Sequence, residues 1–177
     1  MWAPDVIEGP DKKYYMFYPS NFRIGVAVAD APEGPFVARK SSLTGVNGID
    51  PSVIRLGNDH YIYTSKGVDA GNGRKVNEIF VQKLLPGADG RLFAGATPPK
   101  RIEGLNNNPD GTVSYKEGPH VFQRTPGGPI YMLYARTSVG SYRLDLAVSD
   151  NGPMGRFRSA GVAVPVFCER ACKTDLH

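Results

Sequence analysis

Short runs of apolar residues, separated by turn-forming residues, make up most of the chain. The runs are rich in Val, Ile, Tyr and Phe, and none keeps a helical period for more than a turn or two. The 21 Gly and 15 Pro residues fall largely between the runs and mark turns at the spacing of strands. The pattern predicts an all-β chain, whose clearest strands are the aromatic runs at 14–18, 61–64 and 131–134.

A proline-centred motif occurs three times, around Pro4, Pro51 and Pro119. Each copy precedes one of the aromatic runs, so each unit opens with a hairpin. Self-similarity of this kind is typical of repeat architectures. The remaining strands are predicted in order within each unit, the third at 24–30, 78–84 and 144–150, and the fourth at 36–39, 92–94 and 157–164.

The repeat predicts a β-propeller of four-stranded antiparallel blades, incomplete at about three blades. The prolines recur after 47 and then 68 residues, whereas a blade takes roughly 40 to 50, so Thr97–Tyr115 is assigned to an inserted surface loop. A β-sandwich with accidental internal similarity is the alternative. We expect one domain at 2–163, with blades at about 2–40, 49–95 and 117–163, and a separate tail at 164–177.

Candidate chemistry lies on the proline-containing strands, because the innermost strand of each blade lines the central channel of a propeller. Glu117 and Asp50 are carboxylates at related repeat positions, and Trp2 offers an aromatic surface for a sugar. Glycoside hydrolysis needs one acid and a second carboxylate. We predict Glu117 as the general acid and Asp50 as the group whose charge raises the pKa of Glu117 and orients it. The alternative for each carboxylate is an ordinary surface or turn residue.

In this order, Trp-Ala-Pro-Asp at 2–5, Ile-Asp-Pro-Ser-Val at 49–53 and Glu-Gly-Pro-His at 117–120 resemble the motifs of glycoside hydrolase family 43. The resemblance implies a five-bladed propeller with a pentose-sized pocket and an inverting mechanism that uses a base, a pKa modulator and an acid. It implies that Asp50 is the modulator, that Glu117 is the acid and that Trp2 lies near the pocket. The implied substrates are glycosides of arabinose and xylose.

Two features of the family pattern have no match in this sequence. The family's base, an Asp, belongs to a blade ahead of the Trp-Ala-Pro strand, and a His at an axial metal site belongs to a fifth blade. We therefore expect weak or absent hydrolysis by this chain alone, and neither a metal nor another cofactor. Asp5 and His120, which directly follow their prolines, are assigned with Trp2 to substrate binding, and Asp5 is a candidate replacement base. The alternative function is a non-catalytic carbohydrate-binding or relic propeller fragment.

The expected partners are carbohydrate, as the resemblance implies, and a second copy of the chain. The net charge of +4 is spread along the sequence, which argues against nucleic-acid binding. No run of about 18 apolar residues predicts a membrane span, and the first residues lack the pattern of a signal peptide, which favours the cytoplasm. An incomplete propeller would expose apolar blade faces, so we expect a homo-oligomer. Cys168 and Cys172 are interpreted as tail thiols, and His60 and His177 as surface residues.

Overall fold

The computed structural model describes residues 2–71, 73–107, 114–138 and 141–164. These residues form strands, turns and irregular segments, without a helix among them. None of them therefore belongs to a helix long and apolar enough to cross a membrane. The strands in chain order are β1 Asp5–Glu8, β2 Tyr14–Ser20, β3 Arg23–Ala29, β4 Val37–Ala38, β5 Ile49–Leu56, β6 Asp59–Asp69, β7 Lys75–Leu85, β8 Gly95–Ala96, β9 Lys100–Arg101, β10 Lys116–Gln123, β11 Ile130–Ser138, β12 Ser141–Ser149 and β13 Arg158–Val164.

The strands form three antiparallel sheets, each built from consecutive strands. Their orders are β1-β2-β3-β4, β5-β6-β7-β8 and β10-β11-β12-β13, and β9 also pairs with β7. The short connections between neighbouring strands are hairpins, such as the turn between β2 and β3. Each sheet thus has the meander of a propeller blade, with its proline-containing strand first.

Two details of the second sheet differ from the prediction. Its fourth strand lies at Gly95–Ala96 and not at 92–94, because Phe93 turns into the core and is 3% exposed. The described segment 97–107 is also more than a surface loop. Its β9 pairs with β7. Ile102 is buried at 3% exposure, because burying an apolar side chain lowers the free energy of the folded state.

The core lies in two layers between the sheets, where apolar side chains of adjacent sheets pack face to face. The layer between the first and second sheets contains Tyr15, Phe17, Ile24, Val26, Leu43, Val46, Val53, Ile62, Leu84 and Phe93. The layer between the second and third contains Ile54, Tyr63, Ile79, Val81, Ile102, Val121, Ile130, Met132, Tyr134, Ala147 and Phe157. This packing fixes the inner strands β1, β5 and β10 side by side.

A hydrogen bond repeats between neighbouring inner strands. The carboxylate Oδ2 of Asp5 accepts the N–H of Val53 at 2.6 Å, and the hydroxyl of Ser52 accepts the N–H of Val121 at 3.1 Å. In both cases the residue after the proline of one sheet binds the second residue after the proline of the next. The motif found in the sequence therefore supplies a hydrogen bond between each sheet and the next.

Candidate functional site

The residues before the three prolines share an unusual backbone. Ala3, Asp50 and Gly118 have positive φ values of 44°, 51° and 58°, although a residue before proline ordinarily prefers an extended conformation. In β5 and β10 this conformation accompanies a bulge that shifts the register with the neighbouring strand. Bulges re-aim side chains next to functional sites. Here the bulges of β5 and β10 bend the two strands that carry Asp50 and Glu117.

A cavity of about 410 Å³ opens at these bends. The inner strands of all three sheets contribute to it, and it brings together every site residue predicted from the sequence. Its lining residues are Trp2, Ala3, Pro4, Asp5, Ile49, Asp50, Pro51, Ser52, Glu117, Gly118, Pro119 and His120. A cavity of this size suits a small ligand with polar groups around it.

Asp50 is held by a neighbouring strand. Its Oδ2 accepts the N–H of Gly118 at 3.1 Å, and the same N–H also points to the hydroxyl of Ser65 at 3.2 Å. Burial raises the pKa of Asp50, hydrogen bonds from Gly118 and Ser65 lower it, and the charge of Glu117 raises it again. The pKa lies above its ordinary value because burial and a like charge outweigh the hydrogen bonds.

Glu117 lies beside Asp50 and is oriented from the second sheet. The amide Nδ2 of Asn77 in β7 donates to Glu117 Oε2 at 3.0 Å. Lys116, which precedes Glu117, and Glu78, which follows Asn77, form a buried ion pair, with Lys116 Nζ at 3.1 Å from Glu78 Oε1. Two consecutive residues of β10 thus contact two consecutive residues of β7. Asn77 and Ser65 were missed from the sequence, because neither lies in the repeated motif.

Asp5 forms the third carboxylate of the cavity, and its oxygens are engaged with backbone groups. Oδ1 accepts the N–H of Val6 at 3.0 Å, and Oδ2 accepts that of Val53 at 2.6 Å. The pKa of Asp5 lies above its ordinary value, because burial raises it by more than the two backbone hydrogen bonds and the charge of His120 lower it. The hydrogen bond to Val53 joins the first two sheets, so Asp5 also stabilises the packing between them.

Trp2 and His120 lie at the rim. The side chain of Trp2 is 56% exposed, which leaves an indole face available to a ligand. The His120 ring is exposed and lies 6.0 Å from the ring of Phe122, which stacks on Tyr131 at 5.4 Å. His120 therefore begins a row of rings on the face of the third sheet.

The prediction that His60 is a surface residue is wrong. His60 is only 7% exposed, and its ring contacts the edge of Phe93 at a centroid distance of 5.0 Å. Burial lowers its pKa, because the charged imidazolium is disfavoured away from water. His177, Cys168 and Cys172 lie outside the described residues. Within the described residues, no three His, Cys, Asp or Glu side chains come together as a metal site would require.

Comparison with known protein families gives a match over nearly the whole chain. The model described as Glycosyl hydrolases family 43 matches residues 1–165. A xylosidase/arabinosidase of Bacteroides ovatus is 44% identical over 93 residues, which are 49% of this chain and 28% of that protein. A xylosidase/arabinosidase of Thermoclostridium stercorarium is 27% identical over 180 residues, which are 93% of this chain and 36% of that protein. The chain spans less than half the length of these curated relatives.

Solved structures give the same picture of the fold. The GH43_1 enzyme from Xanthomonas citri complexed with xylose matches with a TM-score of 0.69 at 29% identity, covering 92% of this chain and 55% of that one. The same enzyme has also been solved with xylotriose, with a TM-score of 0.68. These matches confirm the predicted fold class, an all-β chain that forms an incomplete β-propeller.

Proposed function

The chain belongs to glycosyl hydrolases family 43, and from that premise we propose that its cavity is the proton-donating part of a glycosidase site. The proposed substrates are xylose- and arabinose-containing glycosides, because the matching relatives are xylosidase/arabinosidases and one neighbour is complexed with xylotriose. The observation that carries the proposal is the presence of Glu117 and Asp50 side by side in one cavity with backbone and amide donors around them.

In this proposal Glu117 is the general acid. The scissile glycosidic oxygen must receive a proton as its bond to the anomeric carbon breaks. The amide of Asn77 limits the orientations of the Glu117 carboxyl group, as efficient proton transfer requires. Glu117 lies on β10 beside the buried pair of Lys116 and Glu78, so the strand that carries it is itself anchored. These contacts support the role of general acid, because they restrict where the Glu117 carboxyl group lies.

Asp50 would act as the modulator. Two carboxylates in one cavity resist double ionisation, so the pair keeps one proton more readily than two isolated groups would. The N–H of Gly118 holds the Asp50 carboxyl group in place beside Glu117. We propose that Glu117 delivers the proton and that Asp50 modulates and orients it.

Water activation is the step for which this cavity is least equipped. The described residues give it a third carboxylate, Asp5, but both oxygens accept backbone N–H groups. We propose that Asp5 is a positioning residue, that Trp2 stacks on the sugar and that His120 contacts it at the rim. Hydrolysis with inversion needs a general base, and Asp5 is a poor one because both of its oxygens accept backbone N–H groups. We therefore expect slow hydrolysis by this chain alone. Losing a general base typically costs about 10²–10⁴-fold.

Azide offers a direct test, because this anion attacks carbon without first losing a proton. Azide would bond to the anomeric carbon, the bond to the leaving oxygen would break, and that oxygen would take the proton of Glu117. With an aryl glycoside, the products are a glycosyl azide of inverted configuration and the free phenol. We expect azide to accelerate cleavage of aryl β-D-xylosides or aryl α-L-arabinofuranosides by the purified chain.

The matched pair of variants for this assay is Glu117→Gln and Glu33→Gln. Both remove one carboxylate, but Glu33 is an exposed residue outside the cavity. On aryl glycosides whose phenol is a poor leaving group, we expect Glu33→Gln to keep the azide-dependent rate and Glu117→Gln to lose about 10²-fold or more. Equal rates for the two variants would contradict the role of Glu117. Binding of xylose without cleavage in azide would instead favour the alternative, a carbohydrate-binding protein without turnover.

A further inference from the structure

A buried histidine borders the core layer between the first and second sheets. His60 lies near the start of β6 and is only 7% exposed. Within the described parts of the chain, no group forms a hydrogen bond with its Nε2 atom. Burying an unpaired polar atom costs free energy, and burying a charge without a partner costs much more. The surroundings of His60 therefore suit a neutral imidazole and not an imidazolium.

The ring of His60 packs on Phe93, which connects the two sheets. The centroids of these two rings are 5.0 Å apart. On its other sides Phe93 contacts two rings of β2, Tyr15 at 4.8 Å and Phe17 at 5.5 Å. The guanidinium of Arg39, which follows β4, donates to the carbonyl of Phe93. The segment 86–94 is thus held between the sheets by Phe93, with His60 as its contact from β6.

The charges next to His60 give a protonated ring little support. Arg55 is its cross-strand partner in β5, and the positive charge of Arg55 repels an imidazolium. Asp59 attracts it, but the Asp59 carboxylate is already paired with Lys83 at 2.8 Å. Burial, the largest cause, and Arg55 lower the pKa of His60 by more than Asp59 raises it, so the pKa lies below its ordinary value of 6.5.

Charged groups on the other segments around this contact supply no free anion. Arg39, at the end of the first sheet, is a further cation. In the segment that carries Phe93, Asp89 is paired with Arg91 at 2.7 Å. In β2, the hydroxyl of Tyr15 donates to Asp11 at 2.7 Å. Each carboxylate near the contact therefore already has a partner, and a charged His60 would have to leave its place to become solvated.

We propose that His60 is an acid-sensitive latch between the first and second sheets, whose neutral ring holds Phe93 in place and whose protonation releases the segment 86–94. The state with Phe93 released binds the proton more tightly than the closed state. The contribution of the latch is full above pH 6.5 and is lost as pH falls through 6.5 toward the folded-state pKa. The first sheet carries Trp2 and Asp5, so acid loosens one wall of the cavity, whatever the cavity binds.

Hydrogen exchange of the purified full chain, followed by mass spectrometry, tests the latch. Exchange is measured between about pH 7.5 and 5.5, where histidine titrates, and each rate is divided by the intrinsic rate at that pH. We expect the protection of the segment 86–94 to fall by up to about tenfold per pH unit below 6.5. The protection of β11 and β12 should stay constant, because the third sheet does not contact the latch. An equal fall in all three sheets would mean global unfolding and would contradict the proposal.

Three variants assign the effect to His60. His60→Phe keeps a ring against Phe93 but cannot titrate, and His60→Gln is a smaller side chain that also cannot titrate. In both, the protection of the segment 86–94 should no longer depend on pH. His120→Gln removes an exposed histidine and should keep the dependence of the wild type. The latch is wrong if the wild-type protection does not change with pH, if both His60 variants keep the change, or if His120→Gln abolishes it.

Discussion

Replacing Lys116 by Met should strongly destabilise the protein, because the substitution breaks a buried ion pair. The side chains of Lys116 and Glu78 are 3% and 7% exposed, and their charged atoms are 3.1 Å apart. Lys116 Nζ also donates to Asn107 Oδ1 at 3.0 Å. Met keeps much of the volume but leaves the Glu78 carboxylate without its buried partner. Breaking a buried pair in this way costs about 3–5 kcal/mol, against a total stability of about 5–15 kcal/mol.

A double variant separates the cost of an unpaired charge from the value of the pair. Lys116→Met with Glu78→Met removes both charges, and such replacements are often neutral or stabilising. We therefore expect the double variant to be more stable than Lys116→Met alone. Lys12→Met serves as the control, because its pair with Glu8 is exposed, with side-chain exposures of 86% and 44%. Exposed pairs contribute at most about 1 kcal/mol.

Urea unfolding followed by far-UV circular dichroism measures these differences in unfolding free energy. The reasoning predicts that Lys116→Met loses at least about 2 kcal/mol more than Lys12→Met and that the second substitution restores part of the loss. Equal effects of Lys116→Met and Lys12→Met would refute the assignment of a buried pair. Losses that simply add in the double variant would refute the coupling between Lys116 and Glu78.

Three further predictions follow from contacts around the cavity. Asn77→Ala removes the donor to Glu117, so azide-dependent kcat should fall about tenfold or more with little change in KM, whereas equal losses in both would indicate a binding role. The raised pKa of Asp50 means that the folded state holds its proton more tightly than the unfolded state. Its contribution to the unfolding free energy is full below pH 3.8 and is lost as pH rises through the folded-state pKa. In urea unfolding, Asp50→Asn should therefore gain stability relative to wild type as pH rises from 3 to 7. A difference in unfolding free energy that stays constant over this range would contradict the argument. Ser52→Ala leaves the buried N–H of Val121 without its acceptor and should cost about 1–3 kcal/mol, while a loss within the error of an exposed serine-to-alanine control would count against the repeated hydrogen bond.

Oligomerisation stays a prediction and has its own measurement. We propose that the chain pairs with a second copy through the open face of the third sheet, where the rings of Phe122 and Tyr131 stack on each other. Light scattering at micromolar concentration should give the mass of two or more chains. The mass of a single chain would contradict the proposal.

The proline-centred repeat made the inner strands and the convergence of their polar residues predictable. Trp2 and Glu117 lie two residues before their prolines and Asp50 lies one residue before its own, and all three line one cavity because the proline-containing strands of successive blades meet there. The left-handed backbone at Asp50 was not readable, since a residue before proline is ordinarily extended. That conformation comes from the bulge in β5, which belongs to the pairing of two strands.

Contacts between sheets account for what the sequence did not reveal. Asn77 and Glu78 lie in a third strand with no motif, and their partners are about 40 residues away along the chain. His60 was predicted to be a surface residue, but its side chain packs on Phe93 from a different segment. The fourth strand of the second sheet lies at Gly95–Ala96 and not at the predicted 92–94, because Phe93 is buried in the core. Such details depend on tertiary packing, which local pattern does not encode.

The leaving-group dependence of cleavage tests the role of Glu117 most directly. Aryl glycosides of one sugar, with phenols ranging from poor to good leaving groups, would be cleaved in azide by the wild-type chain and by Glu117→Gln. The account predicts that Glu117→Gln loses about 10²-fold or more on poor leaving groups and little on dinitrophenol, which departs without a proton. A loss of the same size across the whole series would contradict proton donation by Glu117.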